Sequence, residues 1–117
     1  MQTQTRVLIV DDHPSFRACA RALLEADGFS VIGEAEDGES ALSAIETLGP
    51  DLVLLDIQLP DMDGFAVLDR LTSDSPPVVL VSSRDASDYD GLIRKSRARG
   101  FIAKAELSGN AVRSLLR

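Results

Sequence analysis

The sequence predicts an α/β sandwich built on a mostly parallel sheet. Five short apolar runs alternate along the chain with five segments of helical periodicity, and several runs end directly on a charged or polar residue. Continuous apolar runs are typical of strands buried on both faces, and their alternation with helices is typical of parallel strands joined by crossovers. A chain of 117 residues has the length of one ordinary domain, so we expect residues 1–117 to form a single folded unit.

The apolar runs place the predicted strands at residues 7–10, 31–35, 52–55, 78–81 and 101–103. The first helix is predicted to begin at Pro14 and to end near Gly28, because proline suits a first helical turn and glycine a helix end. The apolar face of this helix includes Phe16 and Cys19, and we expect Cys19 to pack in the core. Amphipathic stripes predict further helices after strands two, three and five. The segment 88–98 has few large aliphatic residues and is expected to face solvent or a partner.

The composition excludes several classes of protein. Nineteen acidic residues against twelve basic ones give a formal net charge of −7, which argues against direct binding to nucleic acid. A single cysteine cannot form a disulfide within the chain and suits a reducing compartment. No apolar run reaches the roughly 18 residues of a membrane span, and the polar start lacks the apolar region of a signal peptide. A cytoplasmic protein without membrane contact is therefore expected.

Polar residues follow four of the five predicted strands. Asp11 and Asp12 come after the first strand, Asp56 after the third, Ser82 after the fourth and Lys104 after the fifth. Ligands of open parallel sheets bind outside the carboxyl ends of the strands. We therefore expect these five side chains to converge on one edge of the sheet.

The converging side chains favour one kind of chemistry. Three carboxylates with no histidine or cysteine beside them form an oxygen cluster suited to Mg²⁺ and unsuited to zinc. A lysine ammonium and a serine hydroxyl facing the same point are donors for an anion, and phosphate is the anion that Mg²⁺ and lysine commonly share. Asp56 stands alone at the end of its strand and is the candidate nucleophile for aspartyl-phosphate chemistry. Each residue by itself is a weak signal, and the prediction depends on their combination.

At these positions the sequence resembles the receiver domains of two-component response regulators, over essentially the whole chain. Asp11 and Asp12 match the acidic metal-binding pair of that family, Asp56 its phosphoacceptor, Ser82 its hydroxyl residue and Lys104 its invariant lysine. The segment 59–64 resembles the loop that follows the family's phosphoacceptor.

This resemblance implies a fold, a metal and a phosphodonor. The fold is a flavodoxin-like (βα)5 three-layer sandwich with a single five-stranded parallel sheet in the order 2-1-3-4-5. The metal is Mg²⁺, with Mn²⁺ as a substitute, held by Asp11, Asp12, Asp56 and the main-chain carbonyl of Gln58. The phosphodonor is a histidine kinase or a phosphotransfer protein.

The resemblance also implies a switch and an output. Ser82 and Phe101 would respond to phosphorylation and change the surface formed by helix four, strand five and helix five, through which two copies would pair as a homodimer. The segments 10–14 and 100–109 resemble receivers that precede a LuxR-type helix-turn-helix. Transcription regulation is therefore the expected output, either as part of a longer regulator or through the surface of the domain itself.

Gln58 and Arg84 lie two residues past Asp56 and Ser82, respectively. They are predicted to flank the path of the hydrolytic water and to set the lifetime of the aspartyl phosphate. The domain would then phosphorylate and dephosphorylate itself without being a conventional turnover enzyme. Two alternatives stay open: a receiver that only binds proteins without being phosphorylated, and a haloacid-dehalogenase-type phosphatase. The latter needs a second aspartate at the position that Gln58 occupies.

Overall fold

The computed structural model describes residues 4–84 and 86–116 and contains a five-stranded parallel sheet in the order β2-β1-β3-β4-β5. The strands are β1 (Arg6–Val10), β2 (Ser30–Ala35), β3 (Leu52–Asp56), β4 (Val78–Ser82) and β5 (Gly100–Ala103). Each predicted strand is present, with its ends moved by no more than one residue. The predicted fold class and strand order are confirmed.

Among the described residues, five helices alternate with the strands: α1 (Pro14–Ala26), α2 (Gly38–Leu48), α3 (Gly64–Asp69), α4 (Asp90–Lys95) and α5 (Gly109–Leu116). The described part of the chain also contains two 3₁₀ helices that were not predicted, Ala86–Asp88 and Lys104–Glu106. The fourth helix is also shorter than the predicted segment 88–98. It ends where Ser96 takes an extended backbone conformation and its hydroxyl donates to the carbonyl of Ile93 at 2.8 Å. Serine competes in this way with the helical hydrogen-bond pattern.

The sheet separates two hydrophobic cores, because successive side chains of a strand point to opposite faces. On one face, Val7 and Ile9 of β1 pack with residues of α1 and α5. On the other face, Leu8 and Val10 pack with residues of α2 and α3. This arrangement gives the three layers expected of the fold. Within the described residues, no helix is both long enough and apolar enough to cross a membrane.

The expectation for Cys19 was wrong, because its side chain is exposed on the surface of α1. The packed face of this helix is centred on Ala20 and Leu24, which are one turn apart and fully buried. Cys19 lies at the margin of that face. The helical periodicity placed Cys19 on the apolar face because cysteine is apolar like its neighbours. Which part of that face is buried is decided by how α1 packs on the sheet.

The loop that follows β3 folds tightly back on the end of the strand. The backbone N–H of Gly64 donates to the carbonyl of Ile57 at 2.7 Å. A Cβ atom at Gly64 would lie 2.9 Å from the carbonyl oxygen of Asp56 and 3.0 Å from the Cα of Ile57. Both obstacles are backbone atoms, so glycine is required by the close approach of two chain segments.

Asp61 joins the same loop to α2. Its two carboxylate oxygens accept the backbone N–H groups of Gly38 and Glu39 at 2.8 and 2.9 Å. These bonds stabilise the ionised form and lower the pKa of Asp61 below its ordinary value. The first turn of α2 therefore holds the loop in place through backbone donors that the helix itself leaves unpaired.

Gly64→Ala is expected to lower the free energy of unfolding by about 1–3 kcal/mol, because the backbone must move to admit the methyl group. Gly91→Ala is the matched control, since a Cβ atom at Gly91 in α4 meets nothing within 4 Å. That control is expected to be neutral or to stabilise by up to about 1 kcal/mol. Urea denaturation of the two variants measures both changes. Equal stability of the variants would contradict the close approach at Gly64.

Candidate functional site

Asp11, Asp56 and Lys104 meet at the carboxyl edge of the sheet, as the parallel arrangement of strands predicts. The Nζ atom of Lys104 lies 2.6 Å from Oδ2 of Asp11 and 3.3 Å from Oδ2 of Asp56. The two carboxylate side chains are only 0% and 3% exposed. One ammonium group therefore balances two buried carboxylates.

The two buried carboxylates have opposite pKa shifts. Burial and the negative charge of Asp11 raise the pKa of Asp56 from 3.8 to about 6, against the opposing effects of the Gln58 N–H and Lys104. Burial also disfavours the ionised form of Asp11, but hydrogen bonds from Lys104 and His13 outweigh it and lower its pKa. Burial likewise disfavours the charged form of Lys104, yet the bond with Asp11 and the charge of Asp56 raise its pKa. At neutral pH the site thus contains an ammonium and two carboxylates, of which Asp56 is the more basic.

Asp12 and His13 extend the cluster toward solvent. The Nδ1 atom of His13 lies 2.9 Å from Oδ1 of Asp11 and 3.1 Å from Oδ1 of Asp12. The side chains of Asp12 and His13 are 36% and 63% exposed. The expectation of a cluster without histidine was therefore wrong, although the position of His13 directly after two aspartates was the available signal.

The cluster has a donor set that fits a divalent cation. Asp11, Asp12, His13 and Asp56 each offer one ligand atom, and these atoms lie within 4.8 Å of one another. The Oδ2 atom of Asp11 is buried and, apart from the ion pair with Lys104, has no partner among the described residues. Carboxylate oxygens without thiolates are ligands for hard cations such as Mg²⁺. The residues present therefore fit the metal that the sequence analysis anticipated.

The remaining predicted residues lie at or near the same edge. Ser82 is fully buried at the end of β4, and its Oγ accepts the backbone N–H of Arg84 at 3.1 Å. The backbone N–H of Gln58 donates to Oδ1 of Asp56 at 3.2 Å. The side chains of Gln58 and Arg84 are exposed, whereas Phe101 is half-buried in β5.

Two residues of α1, Phe16 and Arg17, support the site through contacts that were not predicted. The Nζ atom of Lys104 lies 4.5 Å from the centroid of the Phe16 ring. Arg17 donates from Nη1 to the main-chain carbonyl of Asp11 at 2.6 Å, and its Nε contacts Glu34 at 2.9 Å. Phe16 was assigned only to the core face of its helix, and no feature of the sequence connects Arg17 with a carbonyl oxygen.

Comparison with known proteins places these features in one family. The model of the response regulator receiver domain matches residues 7–115. The DNA-binding transcriptional activator EvgA of Escherichia coli K12 is 32% identical over 110 residues, which are 92% of this chain and 54% of EvgA. The Bordetella pertussis transcription regulator named BvgA is 40% identical over 103 residues, which are 86% of this chain and 49% of that protein. The chain thus spans about half the length of these curated relatives.

Solved structures show the same likeness. The signal receiver domain of a NarL response regulator from Mycobacterium tuberculosis has a TM-score of 0.80 and 35% identity, with 98% of each chain covered. A LuxR-family two-component response regulator from Aurantimonas has a TM-score of 0.87 and 26% identity, with 97% of this chain and 86% of that chain covered.

Asp56→Asn is expected to stabilise the metal-free protein, by an amount that grows with pH. The pKa of Asp56 is raised from 3.8 to about 6, so between these two pH values the folded protein retains a proton that the unfolded chain has lost. The free energy of unfolding of the wild type therefore falls as the pH rises through this range. At about 1.4 kcal/mol per pKa unit, the gain should reach about 3 kcal/mol near pH 7.5 and shrink toward zero near pH 4.

Urea denaturation in the presence of a chelator measures this gain. Asp12→Asn serves as the matched control, since its side chain is 36% exposed and its charge is better solvated, so that its gain should be smaller. If the difference between Asp56→Asn and wild type does not change with pH, the raised pKa of Asp56 is refuted.

Proposed function

Because the chain belongs to the response regulator receiver domain family of two-component systems, we propose that residues 1–117 act as one receiver unit that accepts a phosphoryl group on Asp56. The donor is proposed to be a histidine kinase or a phosphotransfer protein. The observation that carries the proposal is the placement of Asp56, buried at the end of β3 beside Asp11 and Lys104.

Asp56 has the properties of a nucleophile. Its raised pKa, about 6, leaves the carboxylate ionised at neutral pH but more basic than an ordinary aspartate. In the transfer, a bond forms between a carboxylate oxygen of Asp56 and phosphorus. The bond from phosphorus to the donor nitrogen or oxygen breaks, and its electron pair stays on the donor. Asp56 becomes an aspartyl phosphate.

We propose that Mg²⁺, with Mn²⁺ as a substitute, is held by Asp11, Asp12, Asp56 and the main-chain carbonyl of Gln58. When bound, the cation neutralises charge that develops on the phosphoryl oxygens. The carboxylates support this assignment through their mutual proximity. Arg17 supports it as well, because its bond to the carbonyl of Asp11 holds the loop between β1 and α1.

Lys104 and Ser82 are proposed to bind the phosphoryl group. The ammonium of Lys104 already lies 3.3 Å from Oδ2 of Asp56, so a short movement brings it to a phosphoryl oxygen. The Ser82 hydroxyl accepts a bond from Arg84, and its proton has no acceptor among the described residues. A phosphoryl oxygen would supply one, at the cost of moving the end of β4.

The modification is tested with acetyl phosphate and Mg²⁺, followed by intact mass measurement. The wild type is expected to gain the mass of one phosphoryl group, and Asp56→Asn to gain none. Asp69→Asn is the matched control, since Asp69 is an exposed carboxylate at the end of α3. Incorporation at the wild-type rate in Asp56→Asn would refute the assignment. No incorporation in the wild type would favour a protein-binding module, and turnover of phosphomonoesters would favour the phosphatase alternative.

The proposed switch changes the surface of α4, β5 and α5. Phe101 packs in the same core as Ile93 and Tyr89, so movement of Ser82 toward the phosphoryl group can be transmitted to α4 through Phe101. Leu92 of α4 is 55% exposed, which supports the proposal that two phosphorylated copies pair through this surface. The shift is one of populations between two arrangements.

Tyrosine fluorescence can follow the switch, because Tyr89 is the only tyrosine and the chain has no tryptophan. Its ring centroid lies 6.1 Å from that of Phe65 in α3. Phosphorylation of the wild type is expected to change the emission and to produce a dimer on gel filtration. Lys104→Ala should still accept phosphate but show no change in emission, because the pull on the phosphoryl oxygen is lost. Leu92→Ser should change emission without dimerising.

The switch proposal fails if wild-type emission is the same before and after phosphorylation. It also fails if phosphorylated Lys104→Ala shows the full wild-type change. The roles of Gln58 and Arg84 in phosphate lifetime, and a transcriptional output like that of EvgA, stay proposals. They are supported by the exposed positions of both side chains near the site and by the relatives that the chain matches.

A further inference from the structure

The imidazole of His13 faces the carboxylate cluster and not the helix that it precedes. His13 is the N-cap residue of α1, with φ −98° and ψ 110°, but its side chain makes no capping hydrogen bond. Instead, Nδ1 contacts one oxygen of Asp11 and one of Asp12. The ring is 63% exposed, so it contributes little to the core, and its orientation toward two acidic groups calls for another explanation.

The two oxygens of Asp11 face different partners. Oδ2 faces the ammonium of Lys104 at 2.6 Å. Oδ1 accepts the backbone N–H of His13 at 2.8 Å and lies 2.9 Å from its Nδ1. His13 and Lys104 therefore approach Asp11 through separate oxygens. Oδ1 of Asp11 and the carboxylate of Asp12 both lie next to His13. In the described part of the chain, no lysine or arginine side chain forms an ion pair with these oxygens.

The distances match those between neighbouring ligands of one ion. For an octahedral ion with bonds of about 2.1 Å, adjacent ligand atoms are about 3.0 Å apart and opposite ones about 4.2 Å. The separations of Nδ1 from the oxygens of Asp11 and Asp12 are 2.9 and 3.1 Å. The four ligand atoms, including that of Asp56, lie within 4.8 Å of one another. Shifts of a few tenths of an ångström would bring all four around one cation.

A neutral imidazole also suits the charge of the cluster. Three carboxylates and one ammonium leave a charge of about −2, which a divalent cation balances. A fourth carboxylate would add repulsion, whereas an imidazole adds a donor without adding charge. Nitrogen donors favour transition metals over Mg²⁺, which prefers oxygen and water.

We propose that Nδ1 of His13 is a ligand of the cation bound by Asp11, Asp12 and Asp56, and that it shifts the preference of the site toward transition-metal ions. The inference rests on the metal site of the proposed function. It differs from a role in which the imidazole only donates a hydrogen bond to Asp11, because in that role the nitrogen never contacts the metal.

The test uses Co²⁺ as the probe, and it is simplified by His13 being the only histidine of the chain. The protein carries no histidine tag, and Cys19→Ser is present in every variant because the thiol is exposed and could bind Co²⁺.

Proton NMR should show one strongly shifted, exchangeable imidazole N–H when Co²⁺ is bound. His13→Asn, which keeps an oxygen near the position of Nδ1, should lack this signal. In that variant the Kd for Co²⁺ should rise about tenfold or more, and the Kd for Mg²⁺ by less than about threefold.

Two results would overturn the ligand role while leaving the carboxylate site in place. One is bound Co²⁺ without a shifted imidazole proton, and the other is an equal loss of affinity for both ions in His13→Asn. Asp12→Asn tests the site itself and should weaken both ions. If both ions bind Asp12→Asn as they bind the wild type, the cation is elsewhere, and the proposed metal site and the role of His13 fail together.

Discussion

Lys104 lies between the buried carboxylates of Asp11 and Asp56, and the rest of the site depends on this pair of ion contacts. Two carboxylates removed from water at one point repel each other and lose hydration, so neither position is stable without a cation nearby. The ammonium is 2.6 Å from Asp11 and 3.3 Å from Asp56. Burial and the charge of Asp11 raise the pKa of Asp56, whereas hydrogen bonds from Lys104 and His13 outweigh burial and lower the pKa of Asp11. Asp56, the less strongly paired of the two, is the more basic group.

The surrounding backbone keeps these charges together. The N–H of Asp11 donates to the carbonyl of Ala35 in β2 at 3.0 Å, and Arg17 holds the carbonyl of Asp11. On the other side of Asp56, Gly64 and Asp61 hold the loop after β3 against the strand and against α2. The loops after β1 and β3 are therefore both held in place, which limits how far the carboxylates of Asp11 and Asp56 can separate.

The helices differ in how firmly they are attached, and this difference suits a switch. At the start of α5, the N–H of Gly109 donates to the carboxylate of Asp27 at 3.0 Å, and the guanidinium of Arg113 lies 4.8 Å from the centre of the Phe29 ring. By contrast, α4 is a six-residue helix that carries the exposed side chain of Leu92. Elements with few buried contacts open at the lowest free energy. In the proposed switch, a change that begins at Ser82 is therefore expected to be absorbed more easily by α4 than by α5.

Much of this molecule could be predicted from its sequence. The strands were located to within one residue because most of them are short apolar runs bounded by polar or turn residues, which limits where a strand can begin and end. The convergence of Asp11, Asp56 and Lys104 followed from the geometry of parallel strands. The same pattern supported the family resemblance, which the comparison with known proteins confirms. Local pattern was sufficient wherever a residue's position along a strand decides its place in the fold.

Other features depended on tertiary structure. Cys19 is exposed although it belongs to an apolar stripe, because the centre of the packed face is set by the sheet beneath α1 and not by the stripe alone. The contacts of Phe16 with Lys104 and of Asp61 with α2 join residues far apart in the chain, for which no local pattern exists. The orientation of His13 toward two carboxylates, and the unequal pKa values of Asp11 and Asp56, depend on distances and burial. Sequence by itself determined which residues reach the edge of the sheet. Tertiary packing decided which of them touch and which remain in water, because interactions between charges depend on separation and solvation.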